Sequence, residues 1–205
     1  MGQGITMQWD KQQIQVSAYG DGIIRICELN NGKQPYSAAV ELTVEQQQKV
    51  AVAQYQVSEQ GASTVFETAL LRAEVEPDGT ITFYNKKNNE KLTCVSETQE
   101  IKKTTLTEEE KAFIGMEGHE SGDEVQAKVN LSLSLDEADC IYGLGDKTGV
   151  LNKREYEYEM WNSDIPAPHE DNFKSLYKSV PFMIVLKENA VYGVFFDNHG
   201  KSAFN

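Results

Sequence analysis

The chain has 205 residues, 40% of them apolar and 25% charged. That is enough for one large β domain or two small ones, and it excludes wholesale disorder. The formal net charge of -13 repels phosphate backbones and anionic lipid, so neither nucleic acid nor a membrane is expected as a partner.

No apolar run approaches the roughly 20 residues that span a bilayer. Residues 1–20 carry Gln, Asp and Lys throughout and hold no apolar signal core. The three cysteines, Cys27, Cys94 and Cys140, form no CxxC pair and sit among apolar or β-branched neighbours. They read as small buried hydrophobes in a reducing compartment. A soluble, cytoplasmic chain is the resulting expectation.

Taken in chain order, the first elements are strands over 14–19 and 23–29, flanking the turn Gly20-Asp21-Gly22. Thr43-Val44-Glu45-Gln46 fits a capping box, which predicts a helical turn or two over 45–49. Strands are expected next over 50–57 and 64–70. Two more, over 71–76 and 80–84, flank Pro77-Asp78-Gly79, where Pro presets φ and Gly supplies a left-handed position. Residues 96–124 are polar and acidic and read as an exposed excursion or a loose hairpin, with a possible helix start at 107–111. From Val125 to Leu135, apolar residues alternate strictly with Gln126, Lys128, Asn130, Ser132 and Ser134. That period of two predicts a strand with one buried and one wet face.

Residues 141–179 have no clear period and are rich in Gly, Pro, Asn, Asp and aromatics, which predicts a long functional loop segment. The runs over 180–186 and 190–196 are nearly continuous in apolar residues and predict central strands buried on both faces. Many short strands separated by turn signals indicate an all-β, antiparallel β-sandwich with few short helices. A single domain over 1–205 is expected.

Several candidate chemistries fail on the residues. Gly143-Leu144-Gly145-Asp146-Lys147-Thr148-Gly149 has Thr148 where a dinucleotide fingerprint needs glycine, and Asp146 where a Walker loop needs glycine. It reads as a tight turn at a strand end. His119, His169 and His199 have no zinc spacing, and no GxSxG turn marks a nucleophile. No metal and no cofactor are expected.

The segment Met160-Trp161-Asn162-Ser163-Asp164-Ile165-Pro166-Ala167-Pro168-His169 is more unusual. It puts an aromatic, an amide and a carboxylate on a stiff, proline-bounded loop. Sugars are bound by that set, because ring faces stack on aromatics and hydroxyls bond to carboxylates and amides. On the residues alone the segment reads first as a packed surface loop with Trp161 as its anchor.

Four motifs in order carry a resemblance. Tyr142-Gly143-Leu144-Gly145-Asp146-Lys147-Thr148-Gly149, then Trp161-Asn162-Ser163-Asp164, then Leu176-Tyr177-Lys178-Ser179-Val180-Pro181-Phe182, then Tyr192-Gly193-Val194-Phe195-Phe196-Asp197-Asn198 are similar to the motifs that close the N-terminal domain of glycoside hydrolase family 31. Asp146 stands where Glu is usual and Ser163 where Thr is usual, and both keep the chemistry. Over residues 1–130 the resemblance rests on strand pattern and length.

The resemblance implies a galactose-mutarotase-like supersandwich packed against a C-terminal (β/α)8 barrel. It also implies a parent α-glucosidase-like or α-xylosidase-like enzyme that hydrolyses α-linked oligosaccharides or glycosides with retention, using two carboxylates about 5–5.5 Å apart. In the family both are barrel aspartates. No βαβα alternation occurs in this sequence, so no residue here is expected to be catalytic. The 141–179 segment is expected to reach toward the barrel, with Asp164 accepting hydrogen bonds from substrate and Trp161 shaping or anchoring the loop. The alternatives are a stand-alone carbohydrate-binding module and, further off, an aldose epimerase, which needs a His and Glu pair facing one sugar ring.

Overall fold

The computed structural model describes residues 3–9, 12–29, 32, 43–51, 53–104, 124–166, 168–170, 173–198 and 200–205. Three strands, β1 (Gln3–Trp9), β2 (Gln12–Gly20) and β3 (Ile23–Glu28), form an antiparallel sheet in that order. The central strand β2 buries Ile14, Val16 and Ala18 on one face and Ser17 on the other.

The capping box closes as the sequence predicts. Thr43 Oγ1 accepts from the Gln46 amide at 3.2 Å, and Gln46 Oε1 accepts from the Thr43 amide at 2.8 Å. The helix α1 (Val44–Ala51) that follows is longer than expected. It takes the start of the predicted 50–57 strand and buries Val50. The strand β4 begins only at Gln56 and runs Gln56–Gln60. Val50 and Ala53 are both buried at a spacing of three, so the apolar pattern there served a helix end and its exit.

Six strands in sequence order make the second sheet: β4, then β5 (Ser63–Glu67), β6 (Leu71–Val75), β7 (Ile81–Asn85), β8 (Glu90–Thr104) and β9 (Glu124–Leu133). The turn between β6 and β7 forms as read: the Gly79 amide donates to Glu76 O, and the Thr80 amide to Asp78 Oδ1. Phe66, Ala73, Val75 and Ile81 from this sheet pack on Val16 and Ala18 of β2, with Tyr55 stacked on Phe66 at 5.0 Å. That contact is the first core, and it makes the sandwich all-β as expected.

Residues 96–104 are strand, one arm of a hairpin, which was one of the two expectations for 96–124. They pair in continuous register with β9, from Val95 opposite Leu133 to Thr104 opposite Glu124. The possible helix start at 107–111 lies outside the described residues. The alternation of β9 is present, but Val129 and Leu131 of its apolar face are exposed.

The third sheet has the order β10 (Cys140–Gly145), β12 (Ser179–Leu186) and β13 (Val191–Phe195). A short pair, β11 (Tyr158–Met160) with β14 (Ser202–Phe204), lies beside it. All of β11, and all of β10 but Cys140, fall inside the 141–179 stretch read as loop. Leu144, Tyr158, Met160, Met183 and Val185 form a second core, against which Tyr192, Val194, Phe196 and Phe204 pack. Arg25 of β3 meets Asp197 just past β13 at 3.4 Å and joins the two regions.

The expectation that 180–186 and 190–196 are buried on both faces is corrected. Burial alternates along β12, with Met183 and Val185 inside. Val180, Phe182, Ile184, Leu186, Val191 and Phe195 are each between 37% and 64% exposed. They share the outer face, because Phe182 pairs with Phe195 and Leu186 with Val191. A continuous apolar run satisfies a strand whose second face needs a cover, and among the described residues that cover is missing.

Candidate functional site

The site is rooted in a backbone irregularity. Register between β10 and β12 shifts between Gly143 and Gly145. Gly143, Leu144 and Gly145 all have positive φ, at 108°, 68° and 86°. A Cβ on Gly145 would stand 2.4 Å from Lys178 O, and one on Gly143 2.7 Å from Phe182 O. Only glycine lets the two backbones approach this closely. The bulge turns Leu144 into the second core, where it is buried. The expected tight turn is therefore a bulge that fits β10 against the start of β12.

Lys147 leaves this bulge and ties three elements. Its ammonium donates to Glu159 O of β11 at 2.9 Å and to Ser179 Oγ of β12 at 3.3 Å. Burial pulls its pKa below the ordinary lysine range, against the neighbouring Asp146 charge. With two of its three donors on protein acceptors and no helix over residues 146–157, this segment is a structural brace and not a phosphate cradle. Thr148 O accepts from Tyr158 Oη and Lys153 Nζ, and Thr148 Oγ1 donates to Phe173 O.

The loop proper joins β11 to β12. Its outgoing and returning limbs are tied together: the Glu159 amide donates to Lys174 O, the Ser163 amide to Leu176 O, and the Ser179 amide to Asn162 Oδ1. Ser175 Oγ adds a bond to Trp161 O and lies 3.2 Å from Ser163 Oγ. Leu176 is buried and fastens the returning limb, while Tyr158 and Met160 fasten the outgoing one. Trp161 is 54% exposed, so the anchoring falls to Leu176 and the β11 residues. Asp164 is exposed and its carboxylate makes no hydrogen bond or ion pair among the described residues. Both sequence-predicted residues thus stand three positions apart on one limb, facing solvent with their polar and aromatic groups unspent.

Three features escaped the sequence. Tyr177 and His169 meet Ile165 O at the loop tip, with Tyr177 Oη donating at 2.8 Å. The bare outer face of β12 and β13 begins where the loop ends. At the far end of β12, Lys187 is buried and bonds Asp139 at 2.8 Å and Asp136 at 2.6 Å. Burial pulls Lys187 down, but the two carboxylates outweigh it and hold its pKa above the ordinary range. The Lys187 hydrogen bond and charge hold Asp136 below the usual carboxylate range. Only alternating polar residues around an apolar strand could have hinted at the ion cluster. His119 and His199 lie outside the described residues, and among the described residues no group of His, Cys, Asp and Glu has the arrangement of a metal site.

The family model described as the glycosyl hydrolase 31 N-terminal galactose mutarotase-like domain matches residues 13–205. The chain belongs to this family. The glycosyl hydrolase 31 N-terminal domain described here is 41% identical over 80 residues to alpha-glucosidase 2 of Bacillus thermoamyloliquefaciens, covering 39% of this chain and 10% of that protein. It is 35% identical over 78 residues to alpha-glucosidase of Saccharolobus solfataricus, covering 38% of this chain and 11% of that protein. The domain thus spans about a tenth of the curated relatives it matches. Its fold is shared with a GH31 dextranase of Flavobacterium johnsoniae, at TM-score 0.65 and 22% identity over 95% of this chain and 21% of that one. A GH31 alpha-xylosidase of Xanthomonas citri gives TM-score 0.65 and 17% identity, over 98% of this chain and 19% of that one.

Proposed function

We propose that this N-terminal domain is the non-catalytic support of a retaining, α-glucosidase-like enzyme acting on α-linked oligosaccharides. The exposed apolar face of β12 and β13 carries the reading. Six large side chains on one wall are more than a soluble monomer leaves uncovered without a purpose. The occupant that the family resemblance implies is a (β/α)8 barrel of the same enzyme, of which this is the N-terminal domain. The loop leaves from the first residue of β12, so a barrel seated on that face has Asp164 and Trp161 near its rim. Asp164 then accepts hydrogen bonds from sugar hydroxyls, and the Trp161 ring offers a flat apolar surface to a pyranose.

The test is the full-length enzyme with Asp164→Ala. A hydrogen bond to a charged group is worth about 1.5–3 kcal/mol, so kcat/KM on an α-glucoside is expected to fall roughly 10- to 150-fold. An unchanged kcat/KM removes Asp164 from the site. The isolated domain is expected to show neither hydrolysis nor mutarotation. The exposure of Trp161 favours a second reading, a carbohydrate-binding module that works alone. Saturable oligosaccharide binding by the isolated domain, lost in Trp161→Ala, would favour that reading instead.

A further inference from the structure

Asp164 is exposed, yet the backbone on each side of it is pinned. On one side the Ser163 amide donates to Leu176 O at 3.2 Å. On the other, Ile165 O receives the Tyr177 hydroxyl at 2.8 Å, and His169 Nε2 lies 3.3 Å away. His169 Nε2 also lies 3.0 Å from Tyr177 Oη. A tyrosine has one hydroxyl hydrogen, and the shorter contact to Ile165 O takes it. His169 Nε2 must then carry a hydrogen of its own, shared between Tyr177 Oη and Ile165 O; this assigns the tautomer from the network.

The rings support the same arrangement. His169 lies against Tyr177 with centroids 5.4 Å apart, and Phe173 meets His169 edge-on at 6.1 Å. Tyr177 follows the buried Leu176, so its backbone is fixed from the core while its hydroxyl crosses to the opposite limb. Ile165 also precedes Pro166, which restricts it to extended backbone. A peptide so constrained on an exposed loop could have been left to water. Holding it sets the direction of the one carboxylate it flanks before any ligand arrives, and so removes an ordering cost from binding.

We infer that Tyr177 and His169 are positioning residues, which fix the Asp164 carboxylate for a sugar through the Ile165 carbonyl. The inference rests on the reading of Asp164 given above. Neither residue touches the ligand, and both act through the loop.

The experiment is steady-state kinetics of the full-length enzyme on an α-glucoside, for Tyr177→Phe, His169→Ala, His169→Gln, Asp164→Ala and the Tyr177→Phe/Asp164→Ala double variant. Tyr177→Phe is expected to raise KM about 3- to 10-fold, the range of one ordinary hydrogen bond, with kcat little changed. It adds nothing in the Asp164→Ala background, because the group it positions is gone. His169→Gln keeps an N–H near the Nε2 position and retains a KM close to the parent, whereas His169→Ala does not. An unchanged KM in Tyr177→Phe, alongside a weakened Asp164→Ala, overturns the positioning role and leaves the reading of Asp164 standing. Equal, additive losses in both backgrounds assign the pair to general loop stability and also overturn it. An unchanged kcat/KM in Asp164→Ala overturns both.

Discussion

Replacing Lys187 with Met isolates the energetics of the polar cluster under the third sheet. The side chains of Lys187 and Asp139 are 5% and 2% exposed, so both partners of that pair are out of water. Asp136 is exposed and its share of the cluster is screened. Methionine keeps most of the stem and its packing and removes the ammonium, with its charge and its two hydrogen bonds to the carboxylates. The Asp139 carboxylate is then left buried with the Asp136 amide, at 2.8 Å, as its remaining donor. Breaking a buried pair from one side costs about 3–5 kcal/mol, most of it the uncompensated charge. With a urea slope of about 2 kcal/mol/M, the unfolding midpoint followed by circular dichroism should fall by about 2 M. Adding Asp139→Asn supplies the diagnosis. Asn keeps an acceptor for the Asp136 amide and carries no charge, so the double variant should recover most of the loss. A double variant as unstable as Lys187→Met alone, or a single variant that loses less than about 1 kcal/mol, would show that the pair is not held in a dry environment and would refute the reasoning.

Three further outcomes are expected. Gly145→Ala forces a Cβ to 2.4 Å from Lys178 O at a φ of 86°, so it should destabilise by about 3 kcal/mol or more, read as a lowered melting temperature. Phe66→Ala removes a fully buried ring stacked on Tyr55 and should cost about 3–5 kcal/mol in urea unfolding. Stability should also bend at both ends of the pH scale. Asp136 is depressed in the fold, so its contribution is present above the unfolded value of about 3.9 and is lost as pH falls through the folded one. Lys187 is raised, so its contribution is present below the unfolded value of about 10.4 and is lost as pH rises through the folded one. Both bends should shrink in Lys187→Met when unfolding is measured across pH.

What the sequence disclosed was what short-range chemistry decides. The turns at Asp21-Gly22 and Pro77-Asp78-Gly79 and the Thr43 capping box need only neighbouring residues, and each formed. The 50–57 strand did not form as read, because Val50 and Ala53, three positions apart, satisfy a helical spacing, and the alternation through Ala53, Tyr55 and Val57 begins only after it. Residues 96–104 carry too little apolar alternation to signal a strand, and their pairing comes from the backbone of β9 across the hairpin. The outer face of β12 was hidden for a different reason. A run such as Val180 to Leu186 records that both faces avoid water, not whether the cover lies in the same domain. The motif around Trp161 and Asp164 was legible by resemblance. The Tyr177 and His169 contacts were not, since the two stand eight positions apart and no period relates them.

The zipped base of the β11–β12 loop has a consequence for variation. Three backbone amides lock the limbs from Glu159 to Ser179, so they transmit little of what happens at the apex, where the Phe173 amide closes onto Glu170 O. Side-chain changes at the exposed Trp161 and Asp164 can therefore alter what this arm touches while its hinge stays where it is, so its contact can be retuned without rebuilding the limbs.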